Sequence, residues 1–156
     1  MRTAVAFLVV CSVAATMTVS ASNEAPTDIP GRAKGAQKVV VATVSSVRGR
    51  FATNQWGDQL IVSDAVVDVE ETLKGTPAPS LFLTVEGGSV GDLTLTVSDM
   101  PELEPGQRGV FFLEERGGTH VLHGREQGLL RVDRRGRVEG TDLTLEAVGR
   151  QVRQGR

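Results

Sequence analysis

The residues best suited to chemistry in this chain are two histidines, a few carboxylates and some serines beside glycines. His120 and His123 lie in a His-Val-Leu-His run that reads as a strand. Side chains three apart on a strand point to opposite faces, so the pair cannot chelate one metal without a bend. A zinc site would also need further ligands, and the single cysteine, Cys11, stands near the N-terminus. No metal and no other cofactor is expected.

A serine nucleophile has no better support. The Gly-x-Ser-x-Gly elbow is missing, since Gly88-Ser-Val-Gly91 has a different order. Gly87-Gly-Ser-Val-Gly91 also lacks the Gly-Lys-Ser/Thr of a phosphate loop. Asp68, Glu70 and Glu71, with Glu114 and Glu115, fall in strand patterns, where carboxylates face solvent more often than they converge as a hydrolytic pair. Glu86 and Asp92 only flank the Gly-rich turn. No residue receives a catalytic, cofactor-binding or metal role, and the chain reads as non-enzymatic.

The first residues speak to compartment. Met1-Arg2 is followed by a nearly unbroken apolar run from Ala4 to Ala15 and then by Val19-Ser20-Ala21. A positive start, an apolar stretch and a small-x-Ala end make a secretory signal peptide over 1–21, cleaved after Ala21. The run is shorter than the about 20 residues that span a bilayer. Val10 stands where a lipoprotein signal places a small residue before its cysteine, so lipidation of Cys11 is not expected. Cleavage removes Cys11, and the exported domain, periplasmic or secreted, then depends on its core rather than on disulfides. No second long apolar run follows, so no transmembrane segment is expected after cleavage.

Without the signal peptide the chain carries 16 Lys and Arg against 19 Asp and Glu, a net charge of −3. Residues 22–115 hold 7 basic and 14 acidic residues, whereas 116–156 hold 9 Arg and 5 acidic ones. Ordinary solvated surfaces account for this, with an arginine-rich face for an acidic partner as the alternative. Nucleic acid is not an expected partner: the chain is acidic overall and has no aromatic residues among those arginines.

The elements that would position any site read as follows. Residues 22–37 are small, polar and broken by Pro26 and Pro30, which predicts a flexible leader. Residues 38–156 form one domain. Lys38–Val47 is a central strand, with Val39, Val41 and Thr43 on one face and Val40, Ala42 and Val44 on the other. Arg48-Gly-Arg50 is expected to break it, and Phe51–Asp58 to form a loop in which Trp56 either finds cover or makes an exposed contact. Leu60–Leu73 is the longest strand pattern, curled and often bulged at such length, and Lys74-Gly75 ends it. Further strands are expected over Ser80–Val85, Leu93–Val97, Gly109–Glu114, Thr119–His123 and Gln127–Val132, turned at Gly87-Gly88, Pro105-Gly106 and Gly117-Gly118. Thr144 caps a short helix over 145–153, with Leu145, Val148 and Val152 on one stripe. The fold class is all-β: a small closed or partly open Greek-key barrel, OB-like, with a short C-terminal helix.

Val39-Val-Val-Ala-Thr-Val44, Asp68-Val-Glu-Glu-Thr-Leu-Lys-Gly75, Glu86-Gly-Gly88, Pro105-Gly-Gln107 with Val110-Phe-Phe-Leu113, and Gln127-Gly128 occur in an order that resembles a group of uncharacterised exported bacterial β-barrel domains. Their strand order is similar to that of OB-fold barrels of the netrin and TIMP (tissue inhibitor of metalloproteinases) type, and some relatives accompany metzincin-like proteases. Ala42 stands where the first strand of that group commonly has Gly. The resemblance implies an extracytoplasmic binding module, with an extracytoplasmic protein such as a protease as one possible partner. TIMP-type inhibition uses an N-terminal cysteine whose amine and carbonyl chelate the catalytic zinc. Here the expected mature terminus is Ser22, so that mechanism does not carry over. Three functions are ranked: first a non-catalytic interaction domain, second a protease inhibitor or modulator acting through the Arg48–Asp58 loop, and last a hydrolase.

Overall fold

β-branched and aliphatic runs dominate the chain, and they become a mostly β structure closed by helices at one side. A computed structural model describes residues 28–155. The signal peptide expected over 1–21 and residues 22–27 of the expected leader lie outside the described residues. In chain order the elements are α1 (Ile29–Gly35), β1 (Lys38–Thr53), β2 (Gln59–Lys74), β3 (Ser80–Glu86), β4 (Gly88–Val90), β5 (Leu93–Leu95), β6 (Arg108–Arg116), β7 (Thr119–Leu122), a 3-10 turn (Arg125–Gly128), β8 (Leu129–Arg131) and α2 (Leu145–Gln154).

The main sheet runs β1-β2-β3-β7-β6-β8, and β1 also pairs with β6, so the sheet returns on itself. All its pairings are antiparallel except β3–β7, which rests on the single parallel bridge Leu83↔His120. The His120 imidazole and the Thr119 hydroxyl reinforce that seam on the Phe82 carbonyl, at 3.1 and 3.4 Å. β4 and β5 form a separate hairpin.

Both faces of β1 are buried over residues 39–42, as the composition there predicts. Val40, Ala42, Val44, Ala65, Val67, Leu81, Leu83, Val85, Phe111 and Leu113 belong to one cluster, to which β1, β2, β3, β6, β7 and β8 all contribute, so it fills the ring. Val39, Val41, Val110 and Phe112 face outward instead, under Ile29 and Ala33 of α1 and Val148 and Val152 of α2. A register shift between Val44 and Ser46 leaves Ser45 as an extra residue and keeps the following residues in phase with the interior. α2 begins where the sequence indicates: the Thr144 hydroxyl accepts from the Ala147 amide at 3.2 Å.

Two expectations are overturned. The leader over 22–37 does not extend through its second half, because Ile29–Gly35 is helical and Ile29, Ala33 and Ala36 are buried. Asp28 caps this helix, its Oδ1 accepting from the Gly31 amide at 2.9 Å, and Pro30 sits in the first turn, where its missing N–H costs nothing. The Lys74 ammonium closes the other end, donating to the carbonyls of Ala33 and Ala36 at 2.7 Å each. Nor does Arg48-Gly-Arg50 break β1, which continues to Thr53. Gly49 pairs with Ser63, and its bare Cα admits the Ser89 carbonyl of β4 so closely that a Cβ would overlap it.

Candidate functional site

Helices α1 and α2 cover one outer side of the ring, and the outer face of β1 from Thr43 onward, with β2 and β3 beside it, lies uncovered. Three rungs cross it. Arg48 pairs with Asp64 and Asp64 with Thr84; Ser46 pairs with Val66 and Val66 with Phe82; Thr43 pairs with Asp68 and Asp68 with Ser80. Strand alternation decides what points outward. In β3 Leu81, Leu83 and Val85 are buried, which turns Phe82 out with 69% of its surface exposed. A shallow groove of about 500 Å³ lies here, bounded by Arg48, Asp64, Phe82, Thr84 and the Gly117-Gly118 turn.

The polar groups of this face are mostly spoken for. Arg50 donates to Asp64 through Nε at 2.5 Å and Nη2 at 3.3 Å, and the Thr84 hydroxyl donates to the same carboxylate at 2.8 Å. Burial pushes the Asp64 carboxyl up, but the Arg50 and Thr84 hydrogen bonds and the Arg50 charge outweigh it and hold Asp64 below its ordinary range. It is thus an ionised acceptor with its partners in place. Glu70, beyond the Asp68 rung, is gripped by Arg108 and by the Thr43 hydroxyl, at 2.6 and 2.9 Å. Arg108 holds its carboxyl below the usual range, with burial opposing. Arg48 and Asp68 are exposed and have no side-chain hydrogen bond or ion pair among the described residues.

A second exposed feature is the β1–β2 hairpin. Asn54 organises its tip: its side-chain oxygen accepts from the amides of Trp56 and Asp58, each at 2.9 Å, and its amide donates to the Asp58 carboxylate at 3.1 Å. Trp56 is 77% exposed on this tied loop and Phe51 49% exposed on the adjoining strand. Of the two fates open to Trp56, the exposed one is realised.

The sequence-selected polar residues separate in space. His120 binds the Phe82 carbonyl at the ring seam, while His123 binds the Glu114 carboxylate at 2.5 Å under α1. His123 and then Arg116 hold the Glu114 carboxyl below its ordinary range against a smaller effect of burial. No serine or threonine hydroxyl is hydrogen-bonded to either imidazole among the described residues. Among those residues no three His, Cys, Asp or Glu gather as a metal site, and no helix is long and apolar enough to cross a membrane. Glu71 lies 4.0 Å from Arg153 of α2.

Sequence reasoning passed over Phe82, which looked like one more core position in Ser80–Val85. The signal was there in its alternation with Leu81 and Leu83, but only the pairing of β3 with β2 reveals that this side has no cover. The Arg50–Asp64–Thr84 network escaped for a related reason, since cross-strand partners are set by register. No protein-family model matches the chain, and no curated protein is significantly similar to it.

Proposed function

We propose that this protein is an exported, non-catalytic binding domain that engages its partner through the uncovered outer face of β1–β3. The observation that carries the reading is Phe82, a large apolar side chain standing free in a groove while the opposite outer side of the ring is covered by two helices. A solvated aromatic in a groove loses little conformational freedom on docking and contributes much apolar area. Two carboxylates of this face, Asp64 and Glu70, are neutralised by arginine, which suits a recognition surface better than acid–base work. The ring itself is read as a small OB-like barrel. Support for this is the order β1-β2-β3-β7-β6 closing back on β1, with β3 and β7 parallel at the seam. Export rests on the signal-peptide pattern of residues 1–21 and on the resemblance to exported bacterial domains.

Affinity capture from the native envelope and medium tests the reading. Wild-type protein should retain a partner that Phe82→Asp loses and that a variant in the arginine-rich C-terminal part, Arg134→Ser, keeps. Equal retention by Phe82→Asp would refute the placement.

A second reading, modulation of a secreted protease, is favoured by the tied hairpin tip that presents Trp56 to solvent. A protruding loop held in shape before binding loses less entropy when it enters a cleft. In a panel of secreted proteases, slowing that disappears in Trp56→Ser would support it, and an unaffected panel would remove it.

A further inference from the structure

Resting on the reading of the β1–β3 face as a docking surface, we propose that its occupant is a second copy of this chain, in a two-fold symmetric face-to-face dimer. The charges on the face are arranged for self-pairing. The middle rung is apolar at Val66 and Phe82. The Arg48/Asp64 rung lies two β2 residues to one side, and the Asp68/Ser80 rung two residues to the other. At about 3.3 Å per residue, each stands roughly 6.6 Å from the middle. A two-fold axis lying across the strands through the middle rung reverses strand direction and leaves lateral position unchanged. It sets Phe82 against Phe82 and Val66 against Val66.

The same operation brings Arg48 of one copy over the end of the partner copy's face that carries Asp68. The lateral offset is one strand, about 4.8 Å, which an arginine side chain spans. Arg48 and Asp68 are the charged residues of these rungs that lack a side-chain partner among the described residues, whereas Asp64 already has Arg50. Each copy therefore offers one free cation and one free anion, equally spaced about an apolar centre. An isologous interface requires this self-complementarity: if residue i meets j, then j meets i. A heterologous partner would need neither the equal spacing nor the opposite signs.

Sedimentation velocity on the purified protein over roughly 1 to 200 µM tests the dimer, because association is concentration-dependent. Wild type should dimerise, and Phe82→Asp should stay monomeric while keeping the urea midpoint that wild type shows at a concentration too low to dimerise. Arg48→Glu and Asp68→Arg each place like charges together twice per dimer, so each should raise the dissociation constant at least about tenfold. Mixing these two variants should restore dimers, because each heterodimer again holds opposite charges at both contacts. A dimer unaffected by Phe82→Asp, or a mixture that stays monomeric, would overturn the proposal. A monomeric wild type overturns it as well, and capture then separates the two readings. A partner retained through Phe82 leaves the docking face standing, and Phe82-independent capture or none removes that too.

Discussion

Replacing Lys74 by Met removes the ammonium that closes α1 and leaves an unbranched side chain of similar length. The ammonium donates to the Ala33 and Ala36 carbonyls at 2.7 Å and approaches the Lys34 carbonyl at 3.5 Å. The third contact is too long to count as a full hydrogen bond. Hydrogen bonds to a charged group contribute about 1.5 to 3 kcal/mol each. The cluster is only part-buried, so water replaces some of what is lost, and a total cost of roughly 2 to 4 kcal/mol is expected. For a domain of this size that is roughly 6 to 12 °C in melting temperature. Urea unfolding followed by circular dichroism measures the free energy. Hydrogen exchange then tells where it was lost: the Arg32 and Ala36 amides, bonded to the Asp28 and Arg32 carbonyls, should lose protection before those of β1. A free-energy change below about 0.5 kcal/mol, the range of an ordinary surface substitution, with unchanged exchange at α1 would refute the argument. Burial of Ile29 and Ala33 alone would then hold the helix.

Gly35→Ala should destabilise by about 1 to 2 kcal/mol despite the better helix propensity of Ala, because overpacking outweighs that gain. The added Cβ overlaps the His123 imidazole, so His123→Ala in the same chain should return most of the loss in a urea titration. Glu70 has its folded pKa lowered by Arg108, so its contribution is complete above the ordinary glutamate value of about 4.3 and is lost as pH falls through the folded value. Urea midpoints measured from pH 7 down to pH 3 should fall less in Glu70→Gln than in wild type, and parallel curves would contradict this. At a protein concentration too low for dimerisation, Phe82→Asp should leave stability within about 0.5 kcal/mol of wild type, because there the side chain it removes is in water. A large drop in the same titration would mean that Phe82 supports the ring.

The segments of this chain differ in how much they disclose unaided. β-branched runs, Gly turns and the Thr144 cap act over a few residues, and they determined the strands, most turns and α2 from the sequence alone. The two faces of β1 were legible for the same reason: Val39 and Val41 against Val40, Ala42 and Val44 is a local alternation. α1 was written locally too, as Asp28-Ile29-Pro30, but Pro30-Gly31 also spells a turn, and burial of Ile29 and Ala33 decides between them. Lys74 shows the limit. Next to Gly75 it marks a strand end, while its role as the cap of α1 depends on a partner about forty residues away. Gly49 reads as a break until the Ser89 carbonyl approaches it. The candidate face lies wholly beyond local reading. Alternation settles that Phe82 and Leu83 point opposite ways, but which of them enters the core depends on strand register and on where α1 and α2 dock. Those are sums over many distant contacts, and only the tertiary structure evaluates them.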